Sequence, residues 1–269
     1  IIYTLFEHGI RGFEEKPAHW VMQPFFKDHT SYGAILAMYV PIIFGFVFVK
    51  SWRLTTRILS GFVLVLFLVG TLFSYTRAAW VSLGGGLAVY LLIVLRIHIK
   101  YLLLIGSVLV GGFLFYQEDI IIMLERNKSD SGHNLEEQVK SISNVATDAS
   151  NLERLNRWSS AWRMCEERPV FGHGPGTYSF IYAPYQHSQD LTIISTNFGD
   201  LGKAHREHLG PLAEMGVLGL LTFLLIIGAV LHRSIQTYYR LKSQELQVIQ
   251  LSTIVGLSTY LIHGILNNY

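Results

Sequence analysis

The sequence predicts an all-α protein, namely a polytopic transmembrane helical bundle with a long extracytoplasmic loop that contains short amphipathic helices. Three observations support this fold class. The 269 residues are 51% hydrophobic and only 15% charged, whereas a soluble domain carries about 25% charged residues. The apolar residues form long blocks, which is typical of membrane spans rather than of one large core. Basic residues are concentrated in the short connections between those blocks.

Each apolar block is long enough to cross a hydrocarbon layer about 30 Å thick as a helix. The six predicted spans are residues 32–49, 58–74, 78–95, 101–116, 212–231 and 248–265. The block at 101–116 is the shortest and depends on its flanks to complete a span. Residues 1–6 are consistent with the end of a preceding helix, and the first residue is Ile rather than Met. We therefore expect this sequence to be part of a longer membrane protein.

The connections between the predicted spans differ in charge. The segments 50–57, 96–100 and 232–247 contain eight Lys and Arg residues and one acid, Glu245, whereas the other 18 acidic residues lie on the opposite side. Short loops rich in Lys and Arg remain in the cytoplasm. The prediction is thus that residues 7–31, 117–210 and 267–269 face the periplasm or the cell exterior.

This topology divides the chain into parts of one membrane domain, residues 1–269. Four transmembrane helices occupy residues 32–116, a long extracytoplasmic loop occupies residues 117–210, and two further transmembrane helices occupy residues 211–269. Several ionisable or polar side chains then fall at the outer ends of the spans: Asp28, His29, Arg77, His205, His208, His263, Asn267 and Asn268. Ionisable groups near hydrocarbon are costly and more often line a site than face lipid.

Within the outer loop, NLERLNRWSSAWRMCEERP predicts a helix that ends before Pro169. Its periodicity places Leu155, Trp158, Ala161, Trp162 and Cys165 on an apolar face, and Arg154, Arg157, Arg163 and Arg168 on the other face. Such a helix suits the membrane–water interface. The following glycines, Gly172, Gly174 and Gly176, lack the strand and GK[ST] sequence of a nucleotide loop and instead indicate a turn.

Composition excludes several classes of function and site. A net charge of +2 gives no basis for a nucleic-acid partner, and one cysteine, Cys165, excludes an intramolecular disulfide and a cysteine-based zinc cage. His205 and His208 are three residues apart but lack a matched carboxylate motif such as HExxH, so we predict neither a metal nor a cofactor.

Three segments in order resemble the O-antigen ligase and O-antigen polymerase superfamily. They are SYTRAAW at a helix end, RLNRWSSAWRMCEERPVFGHGPGTY, and AHREHLGPLAEMGVLGLL. The family has an arginine after a Ser/Thr-rich helix end, an R-L-x-x-W helix that leads into a glycine turn, and a histidine motif before a helix containing an acid. The resemblance covers most of the chain, which would be the C-terminal part of the family domain.

The resemblance implies catalytic roles for His205, Arg77 and Arg154. Substrate-binding roles are expected for Arg157, Arg206, His208, Glu214 and His29. The sequence departs from the family at Arg206, where Asn is usual, and at His208, a position that is often aromatic. These departures leave open which histidine is the base.

The implied activity is transfer of an undecaprenyl-diphosphate-linked glycan to an acceptor, without metal or nucleotide. An arginine suits the departing diphosphate, and a histidine suits deprotonation of a sugar hydroxyl. The expected partners are the lipid-linked donor, the bilayer, and lipid A core, a glycan or a protein as acceptor. The expected location is the bacterial cytoplasmic (inner) membrane, with the site facing the periplasm. The alternatives are a polymerase, a protein oligosaccharyltransferase or, from a different class, a transporter; charges on one membrane surface favour transfer over transport.

Overall fold

A computed structural model describes residues 1–13, 20–26, 28–97, 149–191, 195 and 209–266, and this part of the chain is helical without strands. The α-helices, numbered in chain order, are α1 (Ile2–Ile10), α2 (His29–Val47), α3 (Leu54–Leu72), α4 (Arg77–Val94), α5 (Ala149–Glu167), α6 (Tyr178–Ile181), α7 (Leu209–Arg240) and α8 (Gln244–Leu266). Two short 3₁₀ helices, Ala183–Tyr185 and Ser188–Asp190, follow α6. The predicted all-α class is confirmed.

Five of these helices, α2, α3, α4, α7 and α8, are long and apolar enough to cross a membrane. They correspond to five of the six predicted spans, and the sixth, at 101–116, lies outside the described residues. The main difference is the length of α7, which has 32 residues against the 20 of the predicted apolar block. Helix α7 is interrupted at Gly216. At about 1.5 Å per residue, the continuous part from Val217 to Arg240 is about 36 Å long and extends beyond a hydrocarbon layer of about 30 Å.

Small residues allow the spans to approach closely. A Cβ atom added to Gly45 of α2 would lie 2.5 Å from Ser252 of α8, and one added to Gly86 of α4 would lie 2.3 Å from Thr259 Oγ1. Where α8 faces α2 again, a Cβ on Gly256 would lie 2.6 Å from the Met38 carbonyl oxygen. Without a hydrophobic drive between helices in lipid, such close backbone packing supplies the association energy. Helix α8 is therefore packed between α2 and α4.

The basic connections lie together at one end of this bundle. Tyr239 of α7 donates a hydrogen bond to the Ile93 carbonyl near the end of α4 (2.7 Å), and the Arg96 guanidinium lies over its ring at 5.4 Å. The Ser51 amide donates to Glu245 at the beginning of α8. The single acid among the basic connections thus ties the α2–α3 connection to α8.

Helix α5 differs from its predicted amphipathic arrangement. Its end at Glu167, before Pro169, is as expected. The buried face, however, includes polar side chains, with Arg157 8% exposed and Asn156 2% exposed, while Leu155 and Trp162 of the predicted apolar face are 40% and 56% exposed. Periodicity placed Arg157 on the polar face, yet Arg157 is buried because it has a buried ionic partner, Glu153, which hydropathy cannot register. The geometry of that pair is part of the candidate site.

Candidate functional site

His29 and Arg77 begin the two neighbouring spans α2 and α4 at the same end of the bundle. Asp28 caps α2 by accepting a hydrogen bond from the Ser31 amide at 2.8 Å. The hydroxyl of Thr76, directly before Arg77, contacts the His29 carbonyl oxygen at 3.0 Å and does not cap α4. Arg77 is exposed and His29 is partly buried. The predicted position of Arg77 at the mouth of a span is confirmed.

The inner face of α5 is built around the ion pair of Glu153 and Arg157. Arg157 Nε donates to Glu153 Oε1 at 2.6 Å, one helical turn away. The Arg157 guanidinium also lies 5.6 Å from the ring centre of Tyr182, and the Tyr178 hydroxyl donates to the Arg157 carbonyl at 2.9 Å. Burial raises the pKa of the Tyr178 phenol, so this donor stays protonated. The two tyrosine rings stack with centres 5.2 Å apart, which completes an ordered polar and aromatic cluster.

The same face of α5 also contacts Gln186, which lies between the two 3₁₀ helices, and Ser195. Asn156 Nδ2 donates to Gln186 Oε1 at 2.7 Å, and the Ser195 hydroxyl donates to Glu153 Oε2. Glu153 thereby receives donors from both its own helix and residue 195. A buried carboxylate needs such partners because an unpaired buried charge is costly. The cluster accordingly holds Gln186 and Ser195 against α5.

The glycine turn after α5 is attached to the first turns of α7 by backbone hydrogen bonds. The amides of His173 and Gly174 donate to the carbonyls of Ala213 and Glu214 at 3.2 and 2.7 Å. In the opposite direction, the amide of Val217 donates to the Pro169 carbonyl at 2.8 Å. We refer to residues 169–178 together with 213–217 as the clasp. It joins helix α5 to the candidate membrane span α7.

The side chain of Glu214 closes the clasp. Its two carboxylate oxygens accept hydrogen bonds from the Gly176 amide at 2.8 Å and the Tyr178 amide at 3.1 Å. Tyr178 begins α6, and a carboxylate is favourable at the free amides of a helix N-terminus. Glu214 therefore has a positioning role in the described structure, whereas its expected contact with substrate stays a prediction.

Two glycines make the clasp sterically possible. Gly216 has φ 68° and ψ −167° inside α7, which breaks the helix there, and a Cβ at this position would lie 2.4 Å from the Val170 carbonyl oxygen. Across the contact, Gly172 has φ 64°, and its Cβ would lie 2.4 Å from the Glu214 backbone. A side chain is excluded at both positions because the two backbones are in contact. Both residues also have a positive φ, which glycine adopts readily and other residues do not. The predicted glycine turn is confirmed, with positive φ at Gly172, Gly174 and Gly176.

The remaining predicted site residues fall in two groups. His205, Arg206 and His208 lie outside the described residues, directly before α7. Arg154 lies on α5, but its side chain also lies outside what the structure describes. The described part brings His29 next to the start of α4 and connects Arg157 to Glu214 through Tyr178. Sequence reasoning missed Glu153 and Asn156; the spacing of Glu153 and Arg157, four residues apart, is the signal that would have indicated their pairing.

The comparison with known families agrees with this arrangement. The O-antigen ligase family matches residues 62–224, which is more than half of the chain. The match includes Arg77, α5, the clasp and the first half of α7. A search among curated proteins finds no match. The chain belongs to the O-antigen ligase family, and it is a multi-pass membrane glycan transferase of the O-antigen ligase and polymerase superfamily.

Proposed function

We propose that this protein transfers a glycan from undecaprenyl diphosphate to an acceptor at the periplasmic face of the bacterial cytoplasmic membrane. The proposal rests on the family match over residues 62–224, a range that includes Arg77, α5, the clasp and His205. The acceptor is lipid A core, another glycan or a protein. The membrane class and the family support this reaction over transport.

Arg77 is the proposed ligand for the donor diphosphate. Its guanidinium is exposed at the first position of α4, where the helix amides lack a side-chain cap. Free helix amides and a forked, permanently charged donor both suit phosphate oxygens. Arg154 is the proposed second phosphate ligand. Arg157 supports that helix through Glu153, so its contribution to substrate binding is the orientation of α5 rather than a free charge.

His205 is the proposed general base. An acceptor hydroxyl oxygen attacks the anomeric carbon, and His205 accepts the hydroxyl proton. A new glycosidic bond forms while the bond from the anomeric carbon to the diphosphate oxygen breaks, and undecaprenyl diphosphate leaves with the electron pair. Arg77 and Arg154 stabilise the negative charge on that oxygen. Arg206, His208 and His29 are proposed to contact the substrates, and no metal or cofactor takes part.

The test is transfer by the purified full chain in liposomes, with an undecaprenyl-diphosphate-linked glycan and each of the three acceptor classes. Replacement of His205 by Ala is expected to lower transfer by about 10²–10⁴-fold, since this is the usual contribution of a general base. His208→Ala is the matched control, three residues away, and is expected to cost much less. EDTA is expected to leave the rate unchanged. Donor binding should persist in both variants.

Two results would contradict the mechanism. Full activity of His205→Ala would show that His205 is not the general base. Loss of activity with EDTA that returns with added metal would indicate a metal between the histidines. The acceptor that supports transfer distinguishes a ligase from a polymerase and from a protein oligosaccharyltransferase.

A further inference from the structure

The turn between α5 and the glycines exposes two adjacent apolar side chains. Val170 is 50% exposed and Phe171 is 78% exposed, the most exposed of the large hydrophobic side chains in the described residues. The backbone of this turn is hydrogen-bonded, since the Gly172 amide donates to the Arg168 carbonyl at 3.0 Å. This pair, the apolar tip, is therefore displayed by an ordered turn and not by a chain end.

The clasp holds the apolar tip against α7. The Val217 amide donates to the Pro169 carbonyl at 2.8 Å, and the backbone of Val170 lies directly over Gly216. Val217 and Leu218, the next residues of α7, are 43% and 49% exposed. Further along α7 the exposed large side chains are also apolar: Leu221, Leu224, Leu225, Ile226 and Val230. The tip thus continues the apolar surface that α7 presents as a membrane span.

The depth of the tip follows from the register of α7 and α8. Gln250 Nε2 of α8 donates to the Ser234 carbonyl of α7 at 3.2 Å, which places these residues at one level. From Gln250, α8 rises about 24 Å to its end at Leu266, at about 1.5 Å per residue. The same rise along the antiparallel α7 ends near Leu218. The tip, held at Gly216 and Val217, consequently lies level with the end of a membrane span.

Side chains at this level meet the boundary between acyl chains and headgroups. Aromatic and aliphatic side chains are favoured there, and an arginine beside them can contact lipid phosphate. Arg168 is exposed and lies two residues before Val170. Water is a poor environment for two apolar side chains fixed by their backbone, whereas acyl chains remove that cost. The level of the apolar tip, its apolar side chains and its hydrogen-bonded turn all suit contact with a lipid surface.

We infer that Val170 and Phe171 insert into the leaflet at the N-terminal end of α7 and anchor the extracytoplasmic loop to lipid. The partner that covers the apolar tip is the acyl chain of a lipid. Through the clasp, the anchor sets the height of α5 and of Glu214 above the membrane. The inference concerns lipid contact alone, so it is independent of the proposed transfer reaction and is tested without activity.

The experiment measures the depth of a nitroxide label on the full chain in liposomes of phosphatidylethanolamine and phosphatidylglycerol. Labels are placed by Phe171→Cys and, separately, Val170→Cys, so that the result does not depend on one variant folding. Leu225→Cys, within α7 and 72% exposed, serves as the lipid control, and His187→Cys, exposed in the loop, serves as the water control. The unsubstituted chain measures background labelling at Cys165, a buried thiol whose pKa is raised by burial.

Labels at positions 170 and 171 are expected to collide more with oxygen than with a water-soluble nickel complex, as the label at 225 does. A label at 187 should show the reverse. Access to nickel at 170 and 171 equal to that at 187 would overturn the inference. Poor access to both reagents would also overturn it, because the tip would then be covered by another segment of the chain or by a second copy.

Discussion

At the scale of single residues, the environments of Arg77 and Glu214 indicate different roles, one in substrate binding and the other in positioning the loop. Arg77 is exposed at the start of a membrane helix, where its charge is accessible to a ligand at the membrane surface. Glu214 uses both carboxylate oxygens to accept hydrogen bonds from backbone amides. The exposed position of Arg77 motivates its proposed role in donor binding, whereas a carboxylate with two backbone donors is suited to hold the loop. Each interpretation leads to a substitution test.

Replacing Arg77 by Lys keeps the charge and removes the forked donor. If Arg77 binds the diphosphate, transfer should fall by about 10²-fold, because one well-placed donor to developing charge contributes on the order of 3 kcal/mol. The measurement is the transfer rate in liposomes at equal amounts of inserted protein. An arginine that only reaches lipid headgroups would be replaced by lysine with little effect, and unchanged activity would therefore contradict the proposal.

For Glu214, Ala and Gln distinguish a structural carboxylate from one that binds substrate. Glu214→Ala removes both acceptors of the Gly176 and Tyr178 amides, so the free energy of unfolding should fall by about 1–3 kcal/mol for each charged hydrogen bond lost. The thermal midpoint should fall with it. Glu214→Gln keeps one oxygen and should lower the midpoint less.

Glu166→Ala is the control, an exposed acid on α5 that accepts one side-chain hydrogen bond from Trp162. A thermal midpoint unchanged in Glu214→Ala, together with lost transfer in Glu214→Gln, would favour the substrate role instead.

At the scale of elements, the clasp makes α5 and the first turns of α7 one structural unit. The sequence predicted the helix, the glycine turn and the apolar span as separate features. What joins them is the break at Gly216, where the helix opens and two backbones meet. A break in a membrane-spanning helix needs compensating donors and acceptors. The bond between Val217 and Pro169 supplies one such compensation.

Gly216→Ala should therefore separate the two halves of the clasp. The new Cβ would overlap the Val170 carbonyl oxygen, and φ 68° with ψ −167° is unfavourable for alanine. We expect a loss of at least about 1–3 kcal/mol, the usual strain of such a conformation, and lower transfer. The measurements are the thermal midpoint and protease sensitivity of the 169–178 segment.

Gly228→Ala provides the matched control in the same helix. Nothing lies within 4 Å of a Cβ at this position, so alanine should be neutral or slightly stabilising. Equal effects of the two substitutions would show that the contact between the backbones is unimportant.

At the scale of the whole molecule, the orientation in the membrane decides which compartment the site faces. The basic connections meet at one end through Arg96, Tyr239 and Glu245, and His29 lies beside the start of α4 at the other end. A reporter fused after Lys140 should be exported, and one fused after Arg240 should remain cytoplasmic. The reverse pattern of reporter activity would place His205 in the cytoplasm and end the periplasmic proposal.

The fold was largely predictable because a long run of apolar residues is enough to identify a membrane span. Five apolar blocks became helices, with α2 capped by Asp28 and α4 beginning at Arg77, and only α7 extends well beyond its predicted limits among the described spans. The candidate site was predictable only in part. The family motifs indicated Arg77, Arg154 and His205, and the side chains of the last two lie outside the described residues.

The sequence by itself determined the membrane class, the spans, the family and the expected orientation, since these depend on local composition and on motifs in order. Only the tertiary structure decided that the Tyr178 hydroxyl bonds to the Arg157 carbonyl, that Glu214 holds the glycine turn, and that Gly216 admits the Val170 backbone. The reason is physical: a long-range hydrogen bond or a backbone contact joins residues distant in the chain. No local pattern of hydropathy records that contact.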